Sequence, residues 1–168
     1  GRAVAWAERR MGRRADIVHL YHRGRELFPD HRERALAGSR MLLIDWTPSA
    51  RVSWRRIAEG ALDARIDRLA AFIRSRFTDR FFLALAPTPE EQVRRRGAGW
   101  TAADYAAMYR HVVTRLRAGG VRNAVMVMTY TGDPKWMARP WFSRLYPGGD
   151  VVDWVAIAPR PDGPAQDF

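Results

Sequence analysis

Short apolar runs alternate with amphipathic stretches along most of this chain. We predict strands over five of these runs, at 15–21, 40–46, 81–86, 124–130 and 152–158. The run 81–86 is apolar throughout, as expected for a strand that is covered on both faces. Strands that alternate with helices are typical of βα units, whose strands lie parallel in one sheet.

The amphipathic stretches predict the helices. The clearest one, over 61–77, has its apolar residues spaced three and four positions apart. These residues are Leu62, Ile66, Leu69, Ile73 and Phe77. A second helix is expected to begin after Thr101, because Thr101 and Asp104 have the spacing of a capping box. Asp30 and Glu33 repeat that spacing and predict a shorter helix.

Five strands in β-then-α order predict an α/β fold, a partial (β/α)8 TIM-type barrel with helices outside. A complete barrel needs eight strands and typically about 250 residues, and this chain has 168. We expect one domain over 1–158 and an irregular tail over 159–168, which contains three prolines and a glycine.

The two edges of such a sheet favour a covering element. An open edge strand exposes unpaired backbone groups, so we expect a protein partner, a further segment or the terminal helices to cover both edges. A doubly wound open sheet is the alternative fold. It lacks support from a phosphate-binding loop, since neither GxGxxG nor GxxxxGK[ST] occurs.

The composition excludes several classes of function. No apolar run is long enough to span a bilayer, and the lack of cysteine excludes disulfides and thiolate metal sites. The four histidines form no HExxH motif, so we predict neither a metal nor a cofactor. The chain opens without a basic-then-apolar leader, and any secretion signal is expected to have been removed or to lie outside it.

The charge of the chain is strongly positive, at +11. Clustered cations would favour a nucleic-acid partner, because they release counterions from phosphates. Here the cations are arginines spread along the whole chain, with Lys135 as the single lysine. This distribution favours solvated helix faces over a nucleic-acid surface, although a polyanion-binding protein stays an open alternative.

Several short motifs stand in a distinctive order. They are Gly12-Arg13, Asp16-Ile17 with Tyr21, Trp46, Ile57-x-x-Gly60-x-x-Asp63, Ala103-Asp104-Tyr105, Arg110-His111-Val112, Gly120 with Asn123, and Tyr146-Pro147-Gly148-Gly149-Asp150-Val151-Val152-Asp153-Trp154-Val155. Together they resemble glycoside hydrolase family 26, the β-mannanase-like barrels, from about residue 8 to 158. The last motif is the most specific. The resemblance implies an extracellular or cell-surface protein that acts on polysaccharide.

The residues that the family uses for catalysis are replaced. Members are retaining glycosidases, which need two carboxyl groups about 5 Å apart. The resemblance places Pro87-Thr88 where the family has a histidine and its acid/base glutamate, and Thr88 cannot protonate a leaving oxygen. Glu90 and Glu91 follow as weak candidates, since carboxylates on a loop after two prolines are expected to be solvated. The family's nucleophile lies on its seventh strand, and 152–158 matches the sixth.

Aromatic and acidic residues at the predicted strand ends are candidates for glycan binding. They are Asp45, Trp46, Tyr130, Trp136 and Trp141. A tryptophan face can stack on a pyranose, and packing at the barrel mouth is the alternative role of these rings. We assign Trp100 and Trp154 to packing. Met126 and Met128 replace a tryptophan of the family, which suggests that sugar platforms have been lost.

The sequence therefore predicts a glycoside hydrolase-like, β-mannanase-type module that is catalytically inactive and serves as a glycan-binding or structural component. Two alternatives stay open. The chain is a portion of an active retaining β-mannanase or β-glycanase, or it is an arginine-rich protein that binds nucleic acid or another polyanion.

Overall fold

The computed structural model describes residues 2–93 and 97–159 of the chain. They contain one sheet of five strands, in which every neighbouring pair is parallel. The strands are β1 Ile17–Arg23, β2 Met41–Thr47, β3 Phe81–Leu85, β4 Ala124–Tyr130 and β5 Trp154–Ile157. The predicted α/β fold with five parallel strands is confirmed. Apart from Pro159, the predicted irregular tail lies outside the described residues.

Helices connect the strands. They are α1 Arg2–Met11, α2 His31–Ala37, α3 Trp54–Ala58, α4 Asp63–Arg76, α5 Ala102–Ala118 and α6 Pro134–Met137, with 3₁₀ turns at Pro89–Glu91 and Phe142–Leu145. Both predicted capping boxes are present, at the starts of α2 and α5. The predicted helix over 61–77 begins at Asp63, and α3 precedes it as a separate helix. Within the described residues, no helix has the length and apolar character needed to cross a membrane.

The strand order distinguishes the two predicted folds. Each strand lies beside its neighbour in sequence, in the order β1 to β5. A doubly wound sheet reverses its strand order at a switch point, and this sheet has no such reversal. The sequential parallel order is that of part of a TIM-type barrel.

The two faces of the sheet differ. Alternate strand residues point to opposite faces, and directly paired residues of parallel strands share a face. Leu42, Ile44 and Trp46 of β2 are fully buried against the helices. We call the other side the open face, and it carries Tyr21 of β1 and Trp154 of β5, which are 69% and 62% exposed. The open face corresponds to the interior side of a barrel.

The hydrophobic core lies between the helix-covered face and helices α3, α4 and α5. The rings of Trp54 in α3 and Tyr105 in α5 lie edge to face, 5.1 Å apart. Trp100 packs 5.1 Å from Trp54 and is buried, as predicted. Trp154 was predicted to pack in the same way, and this prediction is wrong because its ring lies largely in solvent beside Phe82.

The sheet edges are open in the described part of the chain. β1 pairs only with β2 there, and β5 only with β4. Val155 and Ile157, on the helix-covered side of β5, are exposed over more than half of their surface. Within the described residues, no helix covers the edge at β5. Coverage by a partner or a further segment stays a prediction.

Candidate functional site

A cleft of about 480 Å³ lies on the open face, at the carboxyl-terminal ends of the strands. Every strand or the loop that follows it contributes to the wall. The contributing residues include His19, Tyr21, Asp45, Thr88, Thr129 and Ala156. This is the end of the sheet at which TIM-type barrels build their sites, because the loops after the strands converge there.

Three side chains of the cleft form a hydrogen-bonded series. The His19 Nε2 lies 3.0 Å from the Asp45 Oδ2, and the Tyr21 hydroxyl lies 3.2 Å from the His19 Nδ1. When the neutral imidazole donates from Nε2 to the carboxylate, its Nδ1 accepts from the Tyr21 hydroxyl. Burial raises the pKa of Asp45, and the neighbouring imidazole of His19 opposes that rise.

The strand geometry accounts for this series. His19 and Tyr21 are two positions apart in β1, so both point to the open face. Tyr21 is the register partner of Asp45 in β2, which brings the carboxylate to the same face. Of the residues predicted to bind glycan, Asp45 is the one that lines the cleft. Tyr21 belongs to the motifs of the family resemblance, but neither it nor His19 was predicted to bind glycan. The alternation with Val18 and Leu20 in β1 already places both on one face of the strand.

The loop after β3 forms one wall of the cleft and holds an unusual backbone conformation. Ala86 and Thr88 have φ angles of 43° and 52°, in the left-handed region that a β-branched residue rarely adopts. The Thr88 N–H donates to the Thr129 carbonyl at 2.9 Å, which ties the loop to β4. The predicted position of the degenerate acid/base residue, Thr88, therefore lies in the cleft wall at the mouth of the sheet.

Glu90 is buried, so the expectation of a solvated carboxylate is wrong for this residue. The side chain is 0% exposed, and its Oε1 accepts from the Thr131 N–H at 2.6 Å and from the Thr131 hydroxyl at 2.9 Å. Its Oε2 is buried without a hydrogen-bond partner among the described residues. Burial raises the pKa of this carboxyl group, against the effect of the Thr131 hydrogen bonds. Neither Glu90 nor the half-buried Glu91 lines the cleft.

Two of the predicted glycan-binding rings are core residues. Trp46 is 0% exposed on the helix-covered face, where it packs 5.7 Å from the Phe28 ring. Tyr130 is also buried, lies 5.1 Å from the Phe142 ring, and has its pKa raised to about 12 by burial. A buried ring has no free face for a sugar, so the prediction is wrong for both residues in this conformation.

The other two predicted rings lie at the surface but away from the cleft wall. Trp136 in α6 and Trp141 after it are half-buried, with their centroids 6.2 Å apart. The Lys135 ammonium lies 5.5 Å from the Trp136 ring. Met126 and Met128 are buried on the helix-covered face, so they do not replace rings of the cleft and the inference drawn from them was wrong.

The motifs that carry the family resemblance connect elements of the scaffold. The His111 Nε2 in α5 lies 2.7 Å from the Asp63 carboxylate at the start of α4. Arg110 donates to both oxygens of Asp150 at 2.7 and 2.8 Å. Asn123 donates to the Phe77 carbonyl at 3.0 Å. These residues lie outside the cleft and act as links between helices, strands and loops.

Comparison with known proteins leaves the family open, because no protein-family model matches the chain and no curated protein matches it significantly. Among the described residues, no three histidine, aspartate or glutamate side chains are grouped so as to hold a metal ion. Fold and site together define an α/β protein with a TIM-type parallel sheet and, at the carboxyl-terminal ends of its strands, a cleft lined by both apolar and polar residues.

Proposed function

We propose that this chain is a glycoside hydrolase-like, β-mannanase-type module that binds a glycan in the cleft without cleaving it. The observation that carries the proposal is the exposed ring of Tyr21 beside the polar atoms of His19 and Asp45. An aromatic ring offers a flat apolar face to a pyranose. The adjacent carboxylate and imidazole can hydrogen-bond its hydroxyl groups.

The distribution of carboxyl groups supports binding without hydrolysis. A retaining glycosidase needs two carboxyl groups about 5 Å apart across the scissile bond. Among the described residues that line the cleft, Asp45 is the one carboxylic acid. Glu90 is held in the interior by Thr131, and Thr88 has no group that can serve as an acid at neutral pH.

The strained loop after β3 also favours a functional cleft. Left-handed conformations of non-glycine residues cost about 1–3 kcal/mol each and cluster at functional sites. Ala86 and Thr88 both adopt such a conformation at the cleft wall. A module that had lost all use of this end of the sheet would gain stability by relaxing the loop.

The proposal is tested by calorimetric titration with manno-oligosaccharides and mixed-linkage β-gluco-oligosaccharides. We expect one of these series to bind, and Tyr21→Ala to weaken that binding at least tenfold. Tyr146→Ala is the matched control, because Tyr146 is an exposed tyrosine outside the cleft lining. Absence of binding by the unaltered chain, or equal loss in both variants, contradicts the proposal.

Hydrolysis is measured on the same sugars by the release of reducing ends. The proposal predicts no release above the buffer blank. Turnover that disappears in Glu90→Gln or Glu91→Gln would show that these carboxyl groups are catalytic. That result would contradict the proposal that the module binds glycan without cleaving it.

A second candidate is that the chain forms part of an active β-mannanase or β-glycanase. The observation that favours it is the exposed apolar surface of Ile17 and Trp154, which flank the open face at its two edges. Additional strands would bury this surface and could bring a second carboxyl group to the cleft. This candidate predicts that a longer product of the same gene carries a further glutamate-bearing strand and hydrolyses mannan.

A further inference from the structure

We propose that a cluster of arginines beside the cleft binds a tetrahedral oxyanion, the group shared by phosphate and sulfate esters. We call this cluster the arginine basin. It consists of Arg23, Arg25, Arg51, Arg65 and Arg68. The inference does not depend on glycan binding, since it concerns a different group of side chains and a different ligand chemistry.

The basin is built from three separate segments of the chain. Arg23 is the last residue of β1, Arg51 follows β2, and Arg65 and Arg68 lie in the first two turns of α4. They line two neighbouring depressions that share Arg65. The basin lies on the same rim as the cleft, because Arg23 is two positions beyond Tyr21 in β1 and pairs with Thr47 at the end of β2.

The positive charge of the basin is not neutralised by described carboxylates. No described aspartate or glutamate lines either depression. The arginines that form ion pairs elsewhere in the described chain are all outside the basin. Glu26, the acid next to Arg25 in sequence, accepts instead from the His22 Nδ1 at 2.9 Å and from the Arg23 N–H at 3.1 Å.

Arg65 lies at the centre of the basin, and not all of its N–H donors have an acceptor among the described residues. One Nη of its guanidinium donates to the Pro48 carbonyl, while its Nε is buried and has no partner among the described residues. Burial lowers its pKa, and the charges of Arg25 and Arg68 lower it further. An oxyanion placed between these guanidinium groups would relieve their mutual repulsion.

The chemistry of the lining suits a phosphate or sulfate oxygen. Guanidinium groups present paired donors that match such oxyanions, and these charge-assisted bonds are stronger than neutral ones. The Ser49 hydroxyl in the wall accepts from the backbone N–H groups of Arg51 and Val52 at 3.1 and 3.0 Å. Its own hydrogen is not used in those bonds and can be donated to an anion.

The inference is tested by titrating inorganic phosphate and inorganic sulfate into the protein and following backbone amide chemical shifts. We expect saturable shifts of the amide signals of residue 47, residues 49–51 and residues 61–68. The double variant Arg25→Gln/Arg68→Gln removes two exposed guanidinium groups, and we expect at least tenfold weaker binding. Arg76→Gln is the matched control, because it removes one exposed arginine at the other end of α4, and it should change the affinity by less than twofold.

Two outcomes would overturn the inference. One is the absence of saturable shifts in the unaltered protein, and the other is equal affinity in the double variant and in the unaltered protein. Glucose 6-phosphate and glucose 6-sulfate distinguish the source of the anion, since tighter binding of the esters than of the free ions indicates a charged sugar. A neutral manno-oligosaccharide titrated separately reports on the cleft, so failure of one site is distinguishable from failure of the other.

Discussion

The imidazole Nε2 of His19 lies 3.0 Å from the Asp45 Oδ2, across the first two strands at the mouth of the sheet. Asp45 is largely buried, while His19 is accessible from the cleft. The pair therefore places a carboxylate and a ring nitrogen at the base of the cleft, with the Tyr21 hydroxyl bonded to the same ring. A ligand bound in the cleft, as proposed, would meet these connected hydrogen-bonding groups beside the exposed ring of Tyr21.

The buried carboxyl group of Asp45 leads to a pH-dependent prediction. Burial raises its pKa, so the folded protein holds this proton more tightly than the unfolded chain does. Stability from Asp45 is then fully present below its ordinary pKa of 3.8 and is lost as the pH rises through the raised value. Asp45→Asn abolishes this loss while keeping an acceptor for His19. Urea unfolding at pH 4 and pH 7 should show a smaller decline in the free energy of unfolding for the variant. An unchanged decline contradicts the prediction.

Two substitutions of the buried Glu90 separate the effect of its charge on stability from the effect of its hydrogen bonds. Glu90→Gln keeps an acceptor for both Thr131 donors and removes the buried charge, so the free energy of unfolding at pH 7 should be maintained or raised. Glu90→Ala leaves the Thr131 N–H without its acceptor, which costs about 1–3 kcal/mol. Chemical denaturation of the two variants separates the hydrogen bonds from the charge. Equal destabilisation by both would show that the carboxylate charge itself is needed.

The two aromatic residues Trp46 and Tyr21 should respond oppositely to truncation. Trp46→Ala removes a fully buried side chain and should lower the free energy of unfolding by about 3–5 kcal/mol. Tyr21→Ala removes a ring that is mostly in solvent and should change it by less than about 0.5 kcal/mol. Thermal and urea unfolding check both values. A stable Trp46→Ala variant that loses sugar binding would restore the role that the sequence first suggested for Trp46.

The exposed apolar surface at β5 should make the isolated chain associate. Among the described residues, β5 pairs with β4 alone, and its side chains Trp154, Val155 and Ile157 are exposed apolar groups. An open edge beside apolar side chains promotes contact with other chains. Trp154→Lys should lower the concentration-dependent increase in mass measured by light scattering. Tyr146→Lys serves as the control, because Tyr146 is also exposed. Equal effects of the two changes would assign the association to net charge.

The five strands could be predicted from the sequence because each of them is a separate apolar run. Two of the helices between them could be predicted because each begins with a capping box. The capping boxes at Asp30 and Thr101 form hydrogen bonds between residues three positions apart. Such a helix start can be read from the local sequence alone. The alternation of strands and helices predicted that the strands are parallel, but it is compatible with both the sequential and the doubly wound strand order.

The contents of the cleft were harder to predict. Alternation places Leu42, Ile44 and Trp46 on one face of β2 and Asp45 on the other. Both faces of β2 carry apolar residues, so the sequence of this strand does not show which face the helices cover. Glu90 is carried into the interior by left-handed backbone at Ala86 and Thr88, and such conformations are not encoded by residue type when glycine is absent.

The central claim, a sugar site at the carboxyl-terminal end of the strands, is tested most directly by mapping amide chemical shifts during titration with a neutral manno-oligosaccharide. The account predicts that the largest shifts fall at His19, Tyr21 and Asp45 and at the loop that contains Thr88. Shifts confined to Trp136 and Trp141, or no shifts at saturating sugar, would contradict it.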